Sequence, residues 1–191
     1  MEKKKSLLLK ILIPVAIIAT VAVMWIIKNN TENKTALMET LQTTQNFNEI
    51  PEHLKDADFS LNTDEKIDFS ALADYGLPVI ADYGADSCIP CKEMAPVLKT
   101  MNSEMYGKAF IKFVDVWKYG EAAANVPVQI IPTQVFFNAD GSPFVPSDEL
   151  AGEIEFIMYS DRESNEHAFT VHQGGLTEEQ MREILKEMGV E

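Results

Sequence analysis

From residue 57 onward, short apolar runs alternate with amphipathic stretches, and their spacing predicts the elements. "LPVIADYGA" (77–85) and "AFIKFVDV" (109–116) are apolar over strand length, as expected of strands buried on both faces. "TQVFFNADG" (133–141) reads as a third strand, closed by the turn Asp140-Gly141. Cys88 to Met105 reads as a helix with Met94, Val97, Leu98, Met101 and Met105 on one face, and Pro96 inside it should kink it. "KYGEAAAN" (118–125) predicts a short helix. "LTEEQMREILKEMG" (176–189) predicts a closing helix, with a Thr177–Gln180 capping box, a buried face of Met181, Ile184, Leu185 and Met188, and Gly189 as its stop. Before the first long run, "ADFSL" and "KIDFS" look like short strands, or a strand and a turn, leading into a helical "ALADYG". Residues 145–171 carry a weaker pattern, compatible with a hairpin that has a polar tip. Strands alternating with helices predict an α/β fold: a central sheet with helices on both faces.

The N-terminal pattern is different in kind. Ile11 to Ile27 ("ILIPVAIIATVAVMWII") carries no charge, and Leu7 to Leu9 extend the run past Lys10. About 20 apolar residues span a bilayer's hydrocarbon core. Lys10 near one end suits a snorkelling side chain, and Trp25 near the other suits an interfacial aromatic. A cleaved signal peptide would carry a shorter apolar core, and "WIIKNNTENK" offers no A-x-A cleavage site. The pattern therefore predicts a single transmembrane anchor over 6–28, with 1–5 cytoplasmic by the positive-inside rule and the remainder extracytoplasmic. Residues 29–56, rich in Asn, Thr and Gln with little periodicity, read as a linker, leaving 57–191 as the folded domain.

Charge changes the picture in one respect. The chain carries a net −14, and residues 1–30 hold five lysines against one glutamate, so 31–191 carry −18. Such a surface repels phosphates and argues against a nucleic-acid partner.

Chemistry concentrates at "SCIPCK" (87–92), which holds both cysteines, Cys88 and Cys91. The pair falls where the 77–85 strand turns into a helix. There, free N–H groups and the helix dipole stabilise a thiolate at Cys88, exposed in the first position, leaving Cys91 one turn in, shielded, as a resolving thiol. Ile89 and Pro90 occupy the first turn, and Pro90 has no N–H to leave unpaired. Three readings remain open: a redox pair, half a metal site, or a small structural bridge. A closed zinc site needs about four ligands, and only His53, His167 and His172 add soft donors, none nearby in sequence, so no metal or other cofactor is expected. A bridge across so short a loop stabilises little. Asp82, at the end of an apolar run, is costly to bury unless it is used.

Three segments together resemble the thioredoxin family. "VIADYGADSCIPCKEMAPVL" (79–98) resembles its active-site strand, CxxC and helix. "QIIPTQVFFNADG" (129–141) resembles its Ile-Pro-Thr segment, and "HQGGLTEEQMREIL" (172–185) its last strand end and final helix. The resemblance implies a thioredoxin-like fold with a mixed sheet, Cys88 as nucleophile, Cys91 as resolving thiol and Asp82 as proton-transfer carboxylate. It also implies that Pro132 is cis and faces the cysteines, with the Ile131 backbone beside it to pair with substrate. The chain departs from the family where Ser87 and Gly84 stand in place of its usual tryptophans, and where 145–171 exceeds the usual link as an inserted or extended loop or hairpin. The opening "ADFSL…IDFSALADYGLPVI" resembles membrane-anchored members that maintain envelope thiols.

The expected function is a membrane-anchored thiol–disulfide oxidoreductase acting on disulfides of exported proteins, as a reductase supplied by an electron-carrying membrane protein. Two alternatives are an oxidase or isomerase for folding exported proteins, and a non-catalytic thioredoxin-like binding module. Replacing Cys88 by Ser abolishes function in the first two and spares it in the third.

Overall fold

The computed structural model describes residues 50–191. The expected cytoplasmic segment, transmembrane anchor and most of the linker lie outside the described residues. Among those described, no helix is long and apolar enough to cross a membrane.

Six strands form one mixed sheet in the order β1-β3-β2-β4-β6-β5. They are β1 (Asn62–Thr63), β2 (Val79–Gly84), β3 (Phe110–Asp115), β4 (Thr133–Phe137), β5 (Ile157–Ser160) and β6 (His167–Gln173). β3 runs parallel to both β1 and β2, while β4 is antiparallel to β2 and to β6, and β5 is antiparallel to β6. Every residue of β2 is buried, which is why its sequence is a continuous apolar run broken only by Asp82 and Gly84.

Among the described residues, four α-helices cover the sheet: α1 (Phe69–Ala73), α2 (Ile89–Glu104), α3 (Asp148–Glu153) and α4 (Glu178–Glu187). Met94, Leu98 and Met101 of α2 and Met181, Ile184 and Leu185 of α4 pack on Ile80, Ile111 and Phe136. On the opposite face, Val79, Tyr83, Phe110 and Phe137 pack with Phe59 and Ile67, and α1 adds Phe69, stacked on Phe137 at 4.3 Å. The period of two along β2 thus sends Tyr83 to one core and Asp82 and Gly84 toward the α2 side. Thr177 and Gln180 close the expected capping box at the start of α4.

Three features differ from the sequence reading. Residues 57–60 form no ladder, because side chains take up their carbonyls instead: Lys112 Nζ donates to Asp58 O and Ser60 O, and Asn102 Nδ2 to Phe59 O; only Leu61 O accepts from a strand, from Phe113 N–H at 2.6 Å. Residues 66–70 are not a strand either, since the Asp68 carboxylate accepts from Ala71 N–H and starts α1. The 145–171 segment does contain a hairpin, β5–β6 with its polar tip at Asp161–Glu166, but the short α3 precedes it, capped by Ser147.

Residues before 57 also pack on this domain. A 3₁₀ turn over Glu52–Leu54 delivers Leu54 into the core under β2 and β3, where it is 2% exposed.

Candidate active site

β2 ends at Gly84, and the chain turns through Ala85–Ser87 before Cys88 caps α2. The Cys91 N–H donates to Cys88 Sγ at 3.3 Å. Sulfur therefore stands where a serine or aspartate oxygen usually caps a helix, and the same N–H and dipole favour negative charge on it. Pro90 lies in the first turn, where its missing N–H leaves no helical bond unmade. Cys88 and Cys91 are joined as a disulfide, their Cα atoms 5.3 Å apart.

The sequence reading has Cys88 exposed and Cys91 shielded. In this oxidised form the two are nearly equally covered, at 8% and 4% exposure, because Ala85 and Ile131 pack over the pair. Ile89, between them, is 72% exposed and forms part of the surface instead. The Ile131–Pro132 peptide is cis, and the Ile131 carbonyl oxygen lies 3.9 Å from Cys88 Sγ. A disulfide sulfur has no proton to donate, so this is a packing contact. Cys88, Cys91, Ile131 and Pro132 thus come together, with Asp82 behind them.

Asp82 is fully buried. Burial lifts its carboxyl to about 7, against a hydrogen bond from Gln134 that pulls it down. Gln134 Nε2 donates to Asp82 Oδ1 at 2.6 Å, while Asp82 Oδ2 is buried with no protein partner. A Cβ built on Gly84 would sit 3.2 Å from that Oδ2 and 3.3 Å from Cys91 Sγ. Gly84 therefore leaves the carboxyl and the resolving sulfur on either side of one small gap. A larger cavity of about 620 Å³ reaches Cys91 from the β1 side, with Lys92, Lys99 and Asp64 in its wall.

Sequence reasoning missed several contributors. Gln134 sits directly opposite Asp82 across β2 and β4, which only the strand register shows. Asp115 accepts N–H bonds from Asp86 at 3.0 Å, Trp117 at 3.0 Å and Lys118 at 3.1 Å, joining the loop before Cys88 to the loop after β3. Burial pushes the Asp115 carboxyl up, but these N–H donors and Lys118 outweigh it and hold it below its usual value. Asp86 and Lys118 add an ion pair between the same loops. The 115–119 loop carries Trp117, 64% exposed, and Tyr119, while Ile130 stands exposed just before Ile131. Ile89, Ile130 and Trp117 are apolar residues left exposed on the segments that frame the cysteines. The Trp117 aromatic lay outside the motif, so no local signal marked it.

Among the described residues, no group of three or more His, Cys, Asp or Glu side chains is arranged to hold a metal ion.

The family model described as thioredoxin matches residues 61–155. A thioredoxin of Staphylococcus aureus is 37% identical over 90 residues, 44% of this chain and 85% of that protein. Thioredoxin 1 of Chlorobaculum tepidum is 43% identical over 61 residues, 32% of this chain and 60% of that protein. Among solved structures, a thioredoxin from Halobacterium salinarum aligns over 67% of this chain and 88% of its own, at 21% identity and TM-score 0.46.

Proposed function

The chain belongs to the thioredoxin family, and from that premise we propose that it is a membrane-tethered thiol–disulfide oxidoreductase that reduces disulfides of exported proteins. The observation that carries the chemistry is Cys88 Sγ capping α2 and bonded to Cys91, with buried Asp82 across the Gly84 gap.

In the reduced protein, Cys88 thiolate attacks one sulfur of a substrate disulfide. A mixed disulfide forms, and the substrate's other sulfur leaves as a thiolate. Cys91 then gives its proton to the Asp82 carboxylate and attacks Cys88 Sγ. The Cys88–Cys91 bond forms, the mixed disulfide breaks, and the second substrate thiolate leaves. Two protein thiols are oxidised and one substrate disulfide is reduced. A dithiol carried by a membrane protein restores the pair by the reverse exchange, with Asp82 returning its proton to Cys91. The exposed Ile89, Ile130 and Trp117 give an extended, apolar stretch of substrate something to bury.

The tether rests on the uncharged run Ile11–Ile27 and the lysines before it, which favour a cytoplasmic N-terminus and an external catalytic domain. Holding the domain beside a membrane donor raises its effective concentration, which favours a reductase that is recharged in place.

The reduction potential of the pair in the full chain, equilibrated against glutathione or dithiothreitol buffers, tests the direction. A value near about −270 mV supports the reductase, and one near about −120 mV reverses the reading to an oxidase of exported proteins.

A further inference from the structure

Gln134 is a buried amide in an otherwise largely apolar layer. It faces the α2 side of β4 and its backbone needs are met by the ladder; Ile80 and Phe136 beside it are apolar, and Asp82 and His172 stand opposite it on the neighbouring strands. Burying an amide costs free energy unless its groups are bonded. Its Nε2 has three acceptors around it: Asp82 Oδ1 at 2.6 Å, Gly174 O at 3.0 Å and Met94 Sδ at 3.1 Å. Three acceptors fix which end of the amide points inward, because the reversed orientation would set its carbonyl oxygen against them; the Oε1 left over is buried with no protein partner.

This orientation makes the two oxygens of Asp82 unequal. Oδ1 is an acceptor of an N–H bond. Oδ2 has no protein partner and borders the Gly84 gap that Cys91 Sγ also borders. We propose that Gln134 is a positioning residue for the resolving step: by occupying Oδ1 it confines the transferred proton to Oδ2, the oxygen on the Cys91 side. This rests on the redox reading above.

The groups that face Asp82 are few. From α2 they are Cys91 and Met94, from β3 Phe113, which is its register partner, and from β4 Gln134 itself. From β6, His172 lies opposite Gln134 and its ring Nδ1 is within bonding distance of Glu155 O at 2.8 Å. Lys112 projects from the other face, to Asp58. Asp115, two residues along β3 from Phe113 and in register with Gly84, also lies on this side, its carboxylate taken up by the N–H groups of Asp86, Trp117 and Lys118. Cys91, His172 and Asp115 are thus the other titratable groups there.

The test uses the full-length reduced protein and 5,5′-dithiobis(2-nitrobenzoate), which separates the two steps. Cys88 attack releases one aryl thiolate and leaves a mixed disulfide; Cys91 attack then forms the Cys88–Cys91 bond and releases the second. The two protein thiols lose two protons and two electrons to one aryl disulfide. In Gln134→Leu the carboxylate loses a donor that favours its charged form. The pH midpoint of the second release should therefore move up by about one unit, slowing that step ~10-fold below the midpoint, while the first release keeps its profile. Gly84→Ala offers a second variant, because its Cβ would lie 3.2 Å from Oδ2 and 3.3 Å from Sγ, with the Phe113 ring edge at 2.9 Å obliged to give way. It should slow the second release and spare the first. An unmoved midpoint in Gln134→Leu, or an unchanged second release in Gly84→Ala, overturns the assignment. If the unsubstituted protein releases no thiolate at all, the redox reading itself fails, and the assignment with it.

Discussion

Asp82 concentrates the residue-scale physics, because one side chain carries opposing demands of folding and chemistry. Its carboxyl sits at about 7 in the folded, oxidised protein against an ordinary aspartate value of 3.8, raised by burial. A raised acid favours the folded state fully below the unfolded value and loses that contribution as pH climbs through the folded value. Between pH 3.8 and about 7 the unfolded chain ionises this carboxyl while the native state keeps it protonated, so stability falls progressively, by up to roughly 4 kcal/mol at alkaline pH where the native charge is buried. Asp82→Asn should raise the melting temperature at pH 8 and leave it nearly unchanged near pH 3.5, with slower resolution of mixed disulfides. Melting curves across that range check it, and a stabilisation independent of pH would show that Asp82 is not charged there. Asp82 was legible from sequence, as an acid stranded in an apolar run. Gln134 was not, since nothing in "IPTQVFF" says which residue of another strand it will oppose.

At the scale of elements, long periodic segments behaved as their patterns required. β2, β3, β4, α2 and α4 appear where apolar runs and the capping box placed them. The misread elements are short and stabilised by side chains rather than by ladders. Residues 57–61 are extended but unpaired along most of their length, and Lys112, 4% exposed, donates to Asp58 O at 2.7 Å, Ser60 O at 2.8 Å and Asp58 Oδ2 at 3.0 Å. Ser60 and Lys112 hold the Asp58 carboxyl down at about 2, although Asp58 itself is largely exposed. Lys112→Met keeps much of the buried stem and strands two carbonyls, which should cost ~1–3 kcal/mol. Urea denaturation reads this out, and a loss well under 1 kcal/mol would mean that water replaces the ammonium without penalty. An alternation pattern cannot distinguish such a segment from a strand, because both are extended and half-buried.

At the scale of the whole molecule, the packed unit depends on residues that composition assigned to a linker. Leu54 lies in the core formed by Val79, Phe110 and Val135. Leu54→Ala should lower stability by ~2–5 kcal/mol, measured by denaturant titration, whereas a true linker residue would leave the midpoint in place. The tether is a separate expectation at this scale. The full chain should sediment with membranes and resist alkaline carbonate extraction, and deletion of residues 1–28 should release it. Release of the intact chain by carbonate alone would remove the membrane from the proposed function.

Local information in the chain was enough to specify buried strands, an amphipathic helix with its cap, and a CxxC at a strand-to-helix junction. These follow from nearest-neighbour periodicity and from the chemistry of a helix N-terminus, and neither needs the rest of the chain. Which distant residues meet was settled only on folding. Strand register set Gln134 against Asp82, the missing Cβ of Gly84 let Asp82 and Cys91 share a gap, and Asp115 tied the Trp117 loop to the loop before Cys88. Each of these is a contact between separate segments of the chain, whose energy exists only once the sheet has formed.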